Sequence, residues 1–452
     1  MPTKDLRYFL ALLARNKELL SITDEVDPRF EVSELLRQFD RIRGPALLFE
    51  NVKGHPIQLV GNLVGTKKRL ALAFGLQSEE KLLETYRRRR ARKVQPRRAT
   101  GGPVRQVVIQ DRRKIDLLAL PMPTYHEGDG GPYITCGVAI AKDPASGLRS
   151  MGLHRLHIKG RRKMGIHLSN PPIARFAAEA ERNNQPLDVA ISLGIHPIIL
   201  LASIVSSPGE DKLAIASSLL GSPIPLVKCE TVDAEVPADA ELVIEGKILP
   251  GVRETEGPFG ETSGYYFSDA SHVIEVTAIT CRKNPILQAL HPTVHEVALL
   301  GGPAGEAEMI QMLRQKGFQV CDLAISRFSN RTHVALSLRK NHDSEPRQLL
   351  HLLLSGVPYI KHAVVVDDDV NVQDPQDIEW AIATRFQGDE DLVVMPNLRA
   401  RAIDPSTKQG NFTTKVGLDA TVPVRERDRF RRIGVPRDVS EKVSKMMAGL
   451  DL

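Results

Sequence analysis

Arg253-Glu-Thr-Glu-Gly-Pro-Phe-Gly-Glu-Thr-Ser-Gly-Tyr265 is the stretch on which the reading of this chain turns. Glu256 and Glu261 bracket Gly257-Pro258-Phe259-Gly260. Pro258 fixes φ, and the two glycines open backbone conformations closed to other residues. The segment is expected to fold back as a loop and bring both carboxylates near one point. Two carboxyls in one pocket titrate apart, so one can stay protonated and act as an acid. The same residues also suit an ordinary Gly/Pro loop with two solvated acids, because carboxylates are usually exposed. The rest of the chain has to decide between these readings.

Working outward, short β-prone, turn-bounded runs surround the stretch at 104–109, 134–141, 153–158, 189–193, 198–204, 242–248 and 273–280. They predict a mainly β middle domain, with one helix at 173–183. Residues 95–103, rich in Pro, Arg and Gly, read as a linker. Before it, Leu6, Phe9, Leu10 and Leu13, then Val32, Leu35, Leu36 and Phe39, form helical faces beside short strands at 46–49 and 57–60. After residue 301, helices at 306–315, 346–354 and 375–385 alternate with strands at 332–338 and 363–366. The expected fold is α/β multidomain: an N-terminal α/β region (1–103), a central mainly β domain (104–300) and a C-terminal α/β domain (301–452).

The balance of 61 basic and 55 acidic residues gives a net charge of +6, and much of the excess lies in 87–98. A nucleic-acid surface would interleave aromatic residues there, but only Tyr86 adjoins the run, so it reads as a solvated helix end and no nucleic-acid partner is expected. No run of eighteen apolar residues predicts a membrane span. The N-terminus lacks the apolar core of a secretory signal, and four scattered cysteines without a CxxC pair read as reduced thiols, which points to the cytoplasm.

Gly128-Asp-Gly-Gly-Pro132 and Gly301-Gly-Pro-Ala-Gly305 lack both the Lys-Ser/Thr of a phosphate cradle and a GxGxxG fingerprint. No GxSxG elbow supports a serine hydrolase. Arg155 has the forked geometry to hold a carboxylate, or is a surface arginine. His167 reads as structural or as a lone metal ligand, and Glu245 is expected to face solvent. No cluster of His and acids marks a metal site, so the metal stays unknown.

Taken together, Glu256-Gly-Pro-Phe-Gly-Glu261, the run 223–237 with Val227-Lys-Cys-Glu230, Val366-Asp-Asp-Asp-Val-Asn371 with Trp380-Ala-Ile-Ala-Thr-Arg385, and Lys415-Val-Gly-Leu-Asp-Ala-Thr421 resemble the UbiD family of reversible decarboxylases that use prenylated FMN. The likeness covers nearly the whole chain. It implies that the central domain is a split-barrel-like flavin-binding domain. It implies a reversible, non-oxidative decarboxylase of an aromatic, heteroaromatic or α,β-unsaturated carboxylic acid, working through a covalent adduct with the cofactor. By resemblance Glu261 delivers the proton, while Arg155 and Glu256 orient the carboxylate. Residues 150–155 (Ser150, Met151, Gly152, Leu153, His154 and Arg155) and Ser203, Ile204 and Val205 line the flavin. Lys415 reaches its phosphate.

The chain departs from the family at the metal. The family's Asn and Glu ligands to Mn²⁺ fall on Ser150 and Lys212, and its His falls near Pro172, which argues against Mn²⁺; Lys212 reads as a replacement for the ion or equally as a loop lysine in solvent. The furan dicarboxylate branch carries His and Arg where Val297 and Gly305 stand. Arg327 and Arg331 instead offer charge for a second anionic group on the substrate, or are surface arginines. The resemblance also implies a flavin prenyltransferase as cofactor supplier and a homodimer or homohexamer. A competing reading is a non-catalytic flavin-binding subunit of a decarboxylase complex. The replaced metal ligands favour it, and intact Arg155, Glu256 and Glu261 oppose it.

Overall fold

The structure is a computed structural model that describes residues 4–168, 172–207, 209–293, 295–326 and 331–447. Two residues, His154 and Arg155, join the strands Arg149–Leu153 and Leu156–Gly160. Those strands lie near opposite ends of one sheet. Its order is Tyr133–Ile134, Leu156–Gly160, Lys163–Ile166, Tyr266–Cys281, Leu242–Gly260, Leu187–Leu193, Val138–Lys142 and Arg149–Leu153, with Val107–Ile109 paired on Tyr266–Cys281. A two-residue link reaches at most about 11 Å. The sheet therefore curls until its ends nearly meet, and Arg155 stands at the seam. Every pairing in it is antiparallel.

The chain forms two compact units. The first runs to Met309 and adds Ile325–Arg331 and Arg401–Thr407; the second comprises Ile310–Ala324, Thr332–Ala400 and the chain from Lys408. Boundaries at 103 and 300 were the expectation. Within the first unit, the strand Ile286–Ala289 pairs in parallel with Gln58–Gly61 and completes a small sheet with Ala46–Phe49 and Leu19–Ile22. The N-terminal segment is thereby joined to the curled sheet's own chain. Two large apolar clusters lie in this unit. One lies around Phe9, Leu70, Ile198 and Leu213, the other around Phe49, Ile158, Phe176 and Ile274.

The second unit holds a five-stranded sheet in the order Val320–Ile325, His333–Leu338, His362–Asp367, Phe412–Ala420 and Leu392–Arg399. The helix Pro375–Arg385 starts where Pro375 and the Asp374 side chain, which accepts from the Gln376 amide at 3.0 Å, predict it.

Several sequence expectations change. The run 198–204, expected as a strand, is the helix Pro197–Ser203, because Pro197 occupies its first position and the His196 ring accepts from the Ile198 amide. The helix expected at 306–315 begins earlier, as His295–Gln315. The stretch 253–260 is not a free bend but the end of the strand Leu242–Gly260.

Candidate active site

In an unbroken strand, Glu256 and Glu261 would face opposite sides, since an odd spacing reverses the face. Here Glu256 pairs with Asp269 and Phe259 with Phe267, so three steps on one strand oppose two on the other. The extra residue is a bulge, and it restores one face for both acids. A turn closes beyond it, with the Gly264 amide donating to Glu261 O at 2.8 Å.

Arg155 meets this hairpin from the seam. Its Nε donates to Glu256 Oε1 at 3.0 Å and its Nη2 to Glu256 Oε2 at 2.7 Å. Its Nη1 pairs with Glu261 Oε1. The guanidinium lies against the rings of Phe259 and Phe267, 5.2 and 5.4 Å from their centroids. The Glu256 side chain is 0% exposed and that of Glu261 12%. Tyr133 packs on Phe259 and stacks on His157. The expected Arg–Glu–Glu group is thus assembled from two chain segments, the seam and the hairpin. Arg155 is not a surface arginine.

A residue the sequence did not single out holds the hairpin. Asp129 accepts from the Gly260 amide at 2.8 Å through Oδ1, and from the His126 and Tyr125 amides at 2.9 and 3.1 Å through Oδ2. Burial pushes its carboxyl up, but the bonds from the His126 ring and from the Gly260 and His126 amides outweigh that and hold it below the usual range. The Gly130 amide donates to Pro258 O at 2.7 Å, and a Cβ at Gly130 would lie 2.5 Å from Gly257 O. The glycine-rich 128–132 segment is therefore a brace for the hairpin that carries Glu256 and Glu261. In the sequence it shows only as an Asp among glycines, without any hint of its partner 131 residues away.

The expected cofactor wall is also gathered in the first unit. Ser150 and Met151 are buried on one strand. A Cβ at Gly152 would strike the His154 ring at 2.6 Å, so this strand passes close to that side chain. His154 Nδ1 lies 3.1 Å from His167 O. Burial, with the nearby Lys212 charge adding to it, lowers the His154 ring to about 4, so it is neutral at pH 7. Ser203 ends its helix, Ile204 caps it and Val205 is buried. Lys212 Nζ donates to Ser203 O at 2.8 Å. A buried ammonium bonded to a backbone carbonyl suits a flavin phosphate. The same set does not suit a divalent metal: Ser150 and Lys212 supply no anionic ligand, and no group of three His, Cys, Asp or Glu among the described residues could hold one.

Three expectations are corrected. Lys415 is 1% exposed and gives its ammonium to Leu354 O, Val357 O and Pro358 O at 2.9, 2.8 and 3.2 Å. All its donors are used inside the second unit, at the end of the helix Glu345–Gly356, so its role there is structural rather than phosphate binding. Glu245 is not solvated but 1% exposed, accepting from the Glu230 amide, the Thr231 amide and the Thr231 hydroxyl. The basic run is partly spent on the fold: Arg89 donates to Leu219 O and Arg90 pairs with Glu210. Arg331 donates to Gly301 O at 3.3 Å; Arg327 lies outside the described residues.

Three family models match in order: the 3-octaprenyl-4-hydroxybenzoate carboxy-lyase N-terminal domain at residues 10–89, its Rift-related domain at 96–295 and its C-terminal domain at 298–420. The chain belongs to the UbiD family. It is a carboxy-lyase of that family. Among curated relatives, anhydromevalonate phosphate decarboxylase of Methanothermobacter thermautotrophicus is 33% identical over 92% of this chain and 97% of its own length. Among solved structures, the UbiD-class enzyme HmfF from Pelotomaculum thermopropionicum in complex with FMN is 41% identical over 96% of this chain and 97% of its own, with a TM-score of 0.91. An evolved dimeric form of HmfF in complex with prFMN matches at 40% identity over 96% of this chain and 97% of its own, with a TM-score of 0.87. The apo 3,4-dihydroxybenzoic acid decarboxylase from Enterobacter cloacae is 29% identical over 97% of this chain and 98% of its own, with a TM-score of 0.90. Among the described residues no helix is long and apolar enough to cross a membrane.

Proposed function

We propose that the protein is a reversible, non-oxidative decarboxylase of an unsaturated carboxylic acid, that it works with prenylated FMN, and that Glu261 supplies the proton. The observation that carries this reading is the pairing of one guanidinium with two carboxylates at the seam of the curled sheet. The flavin assignment draws on the FMN and prFMN bound by HmfF and on the fit of the 150–155, 203–205 and Lys212 wall.

When bound, prenylated FMN supplies covalent chemistry at the unsaturated bond beside the carboxylate and the electron sink for the bond to CO₂. The rest falls to side chains. Glu256, fully buried and held at two nitrogens, fixes the plane of the Arg155 guanidinium. Arg155, so fixed, offers its remaining N–H groups to the substrate carboxylate. Glu261 meets the guanidinium at a single nitrogen and keeps part of its side chain open, so it is the member placed to carry a proton to the carbon that CO₂ leaves. Phe259 and Phe267 shield the group from water, which strengthens these interactions.

For the substrate, we infer an α,β-unsaturated acid with a second anionic group, a phosphate or carboxylate, met by Arg331. The support is the phosphate named in the substrate of the archaeal relative, and Val297 and Gly305 at the positions that mark the furan branch. The protein assembles with copies of itself, as homodimer or homohexamer, and takes its cofactor from a flavin prenyltransferase.

The test is reconstitution with prenylated FMN and a screen of unsaturated acids for CO₂ release. Turnover of an acid, with Arg331→Ala raising KM for phosphate-bearing acids more than for monoanions, fits the reading. Equal effects on both classes would end the Arg331 assignment. A flavin-loaded protein that turns over no acid would return the reading to a non-catalytic subunit.

A further inference from the structure

Lys212 opens the helix Lys212–Leu220, directly behind its cap Asp211. The Asp211 carboxylate is occupied elsewhere: it accepts from the Leu213 amide at 2.9 Å and pairs with Arg149 at 2.5 Å. Lys212 is 5% exposed, so it is not a loop lysine in water. An ammonium has three donors. Among the described residues Nζ has one hydrogen-bond acceptor, Ser203 O, and no carboxylate pairs with it. Its titratable neighbour His154 is neutral. Burial alone accounts for the lowering of the Lys212 ammonium, to about 8, and no acid works against it. At neutral pH this wall therefore holds a buried positive charge that no described residue balances. Burying an unpaired charge is costly, and a bound anion removes that cost.

We propose that the Lys212 ammonium is a built-in counter-cation for the flavin phosphate, so that this chain binds its cofactor without a divalent metal. The inference rests on the flavin reading above and adds to it the source of the positive charge. Two independent facts meet at this residue. The positions where the family pattern places metal ligands are Ser150 and Lys212, neither anionic. The lysine that results is buried beside Ser203 and His154, on the expected cofactor wall, with two donors unused among the described residues. A single side chain thus removes the ligand and replaces the charge the ligand would have held.

The experiment uses the purified full-length protein without cofactor and FMN as probe, followed by quenching of flavin fluorescence, in EDTA and separately in Mn²⁺. The expected result is the same affinity in both, with no stoichiometric metal in the FMN-loaded protein by elemental analysis. Lys212→Met should weaken FMN binding about 10- to 100-fold, the range of one lost charge-assisted hydrogen bond. Tenfold or greater tightening of the wild type by Mn²⁺ overturns the inference and leaves the flavin reading standing; because that comparison needs no variant, misfolding of a mutant cannot obscure it. A folded Lys212→Met that binds FMN like the wild type also overturns it. No FMN binding under either condition removes the flavin reading itself, and this inference with it.

Discussion

Replacing Asp129 with Asn isolates the brace from the proposed catalytic group. The carboxylate serves three backbone amides with two oxygens, Gly260 on one and Tyr125 and His126 on the other, and its side chain is 0% exposed. Asparagine keeps the shape but has only one acceptor oxygen. If that oxygen stays with the two amides of its own loop, the new NH₂ faces the Gly260 N–H, donor against donor. One charge-assisted bond is lost and a buried amide is left unmet, a cost of about 1.5–3 kcal/mol. Gly260 directly precedes Glu261, so that cost is expressed as freedom of Glu261, the proposed proton donor. If it falls on the transition state, kcat drops about 10- to 100-fold. Flavin content, set by a different wall, stays near wild type, and KM changes little. The assay is steady-state kinetics on cofactor-loaded protein, with flavin content read by absorbance and stability by urea unfolding. A kcat within about twofold of wild type at equal flavin content would refute the idea that this contact positions Glu261.

Two further outcomes follow from buried charges outside the catalytic group. Glu296 is 0% exposed, and burial lifts its carboxyl to about 7, with the Val64 amide working the other way. Its contribution to stability is full below the unfolded value and is lost as pH rises through about 7, by at most about 3 kcal/mol. Glu296→Gln should therefore match wild type in melting temperature at pH 5 and exceed it by a few degrees at pH 8; a variant less stable at pH 8 contradicts the sign. Lys415→Met strands three carbonyl oxygens and should cost about 2–4 kcal/mol in urea unfolding, while FMN affinity stays unchanged. A selective loss of FMN affinity would restore the phosphate role for Lys415.

The parts legible in the sequence were those set by local chemistry. The helix Pro375–Arg385 announces itself through Asp374 and Pro375, and the helices near residues 6 and 32 through their apolar spacing. Glu256, Glu261 and Arg155 were legible as types and as a family pattern, but their meeting depends on the curl of the sheet and on one bulge, which are long-range facts of register. The run Ile198-Ile-Leu-Leu201 has no polar residue to set a period, so it reads equally as strand or helix, and only Pro197 tips it. Glu245 looked solvated because its three donors come from residues 230 and 231. Asp129 was missed for the same reason: its partners are backbone amides, one of them 131 positions away. Lys415 shows the converse, since the residues around it match a family pattern while its contacts show a helix end being tied down.

The most direct measurement of the central claim is deuterium incorporation by cofactor-loaded Glu261→Gln in D₂O, at the carbon that carried the carboxylate, beside wild type with the same bound flavin. The account predicts label in the wild-type product and none above background in the variant. Labelled product from the variant at a rate near wild type would contradict it.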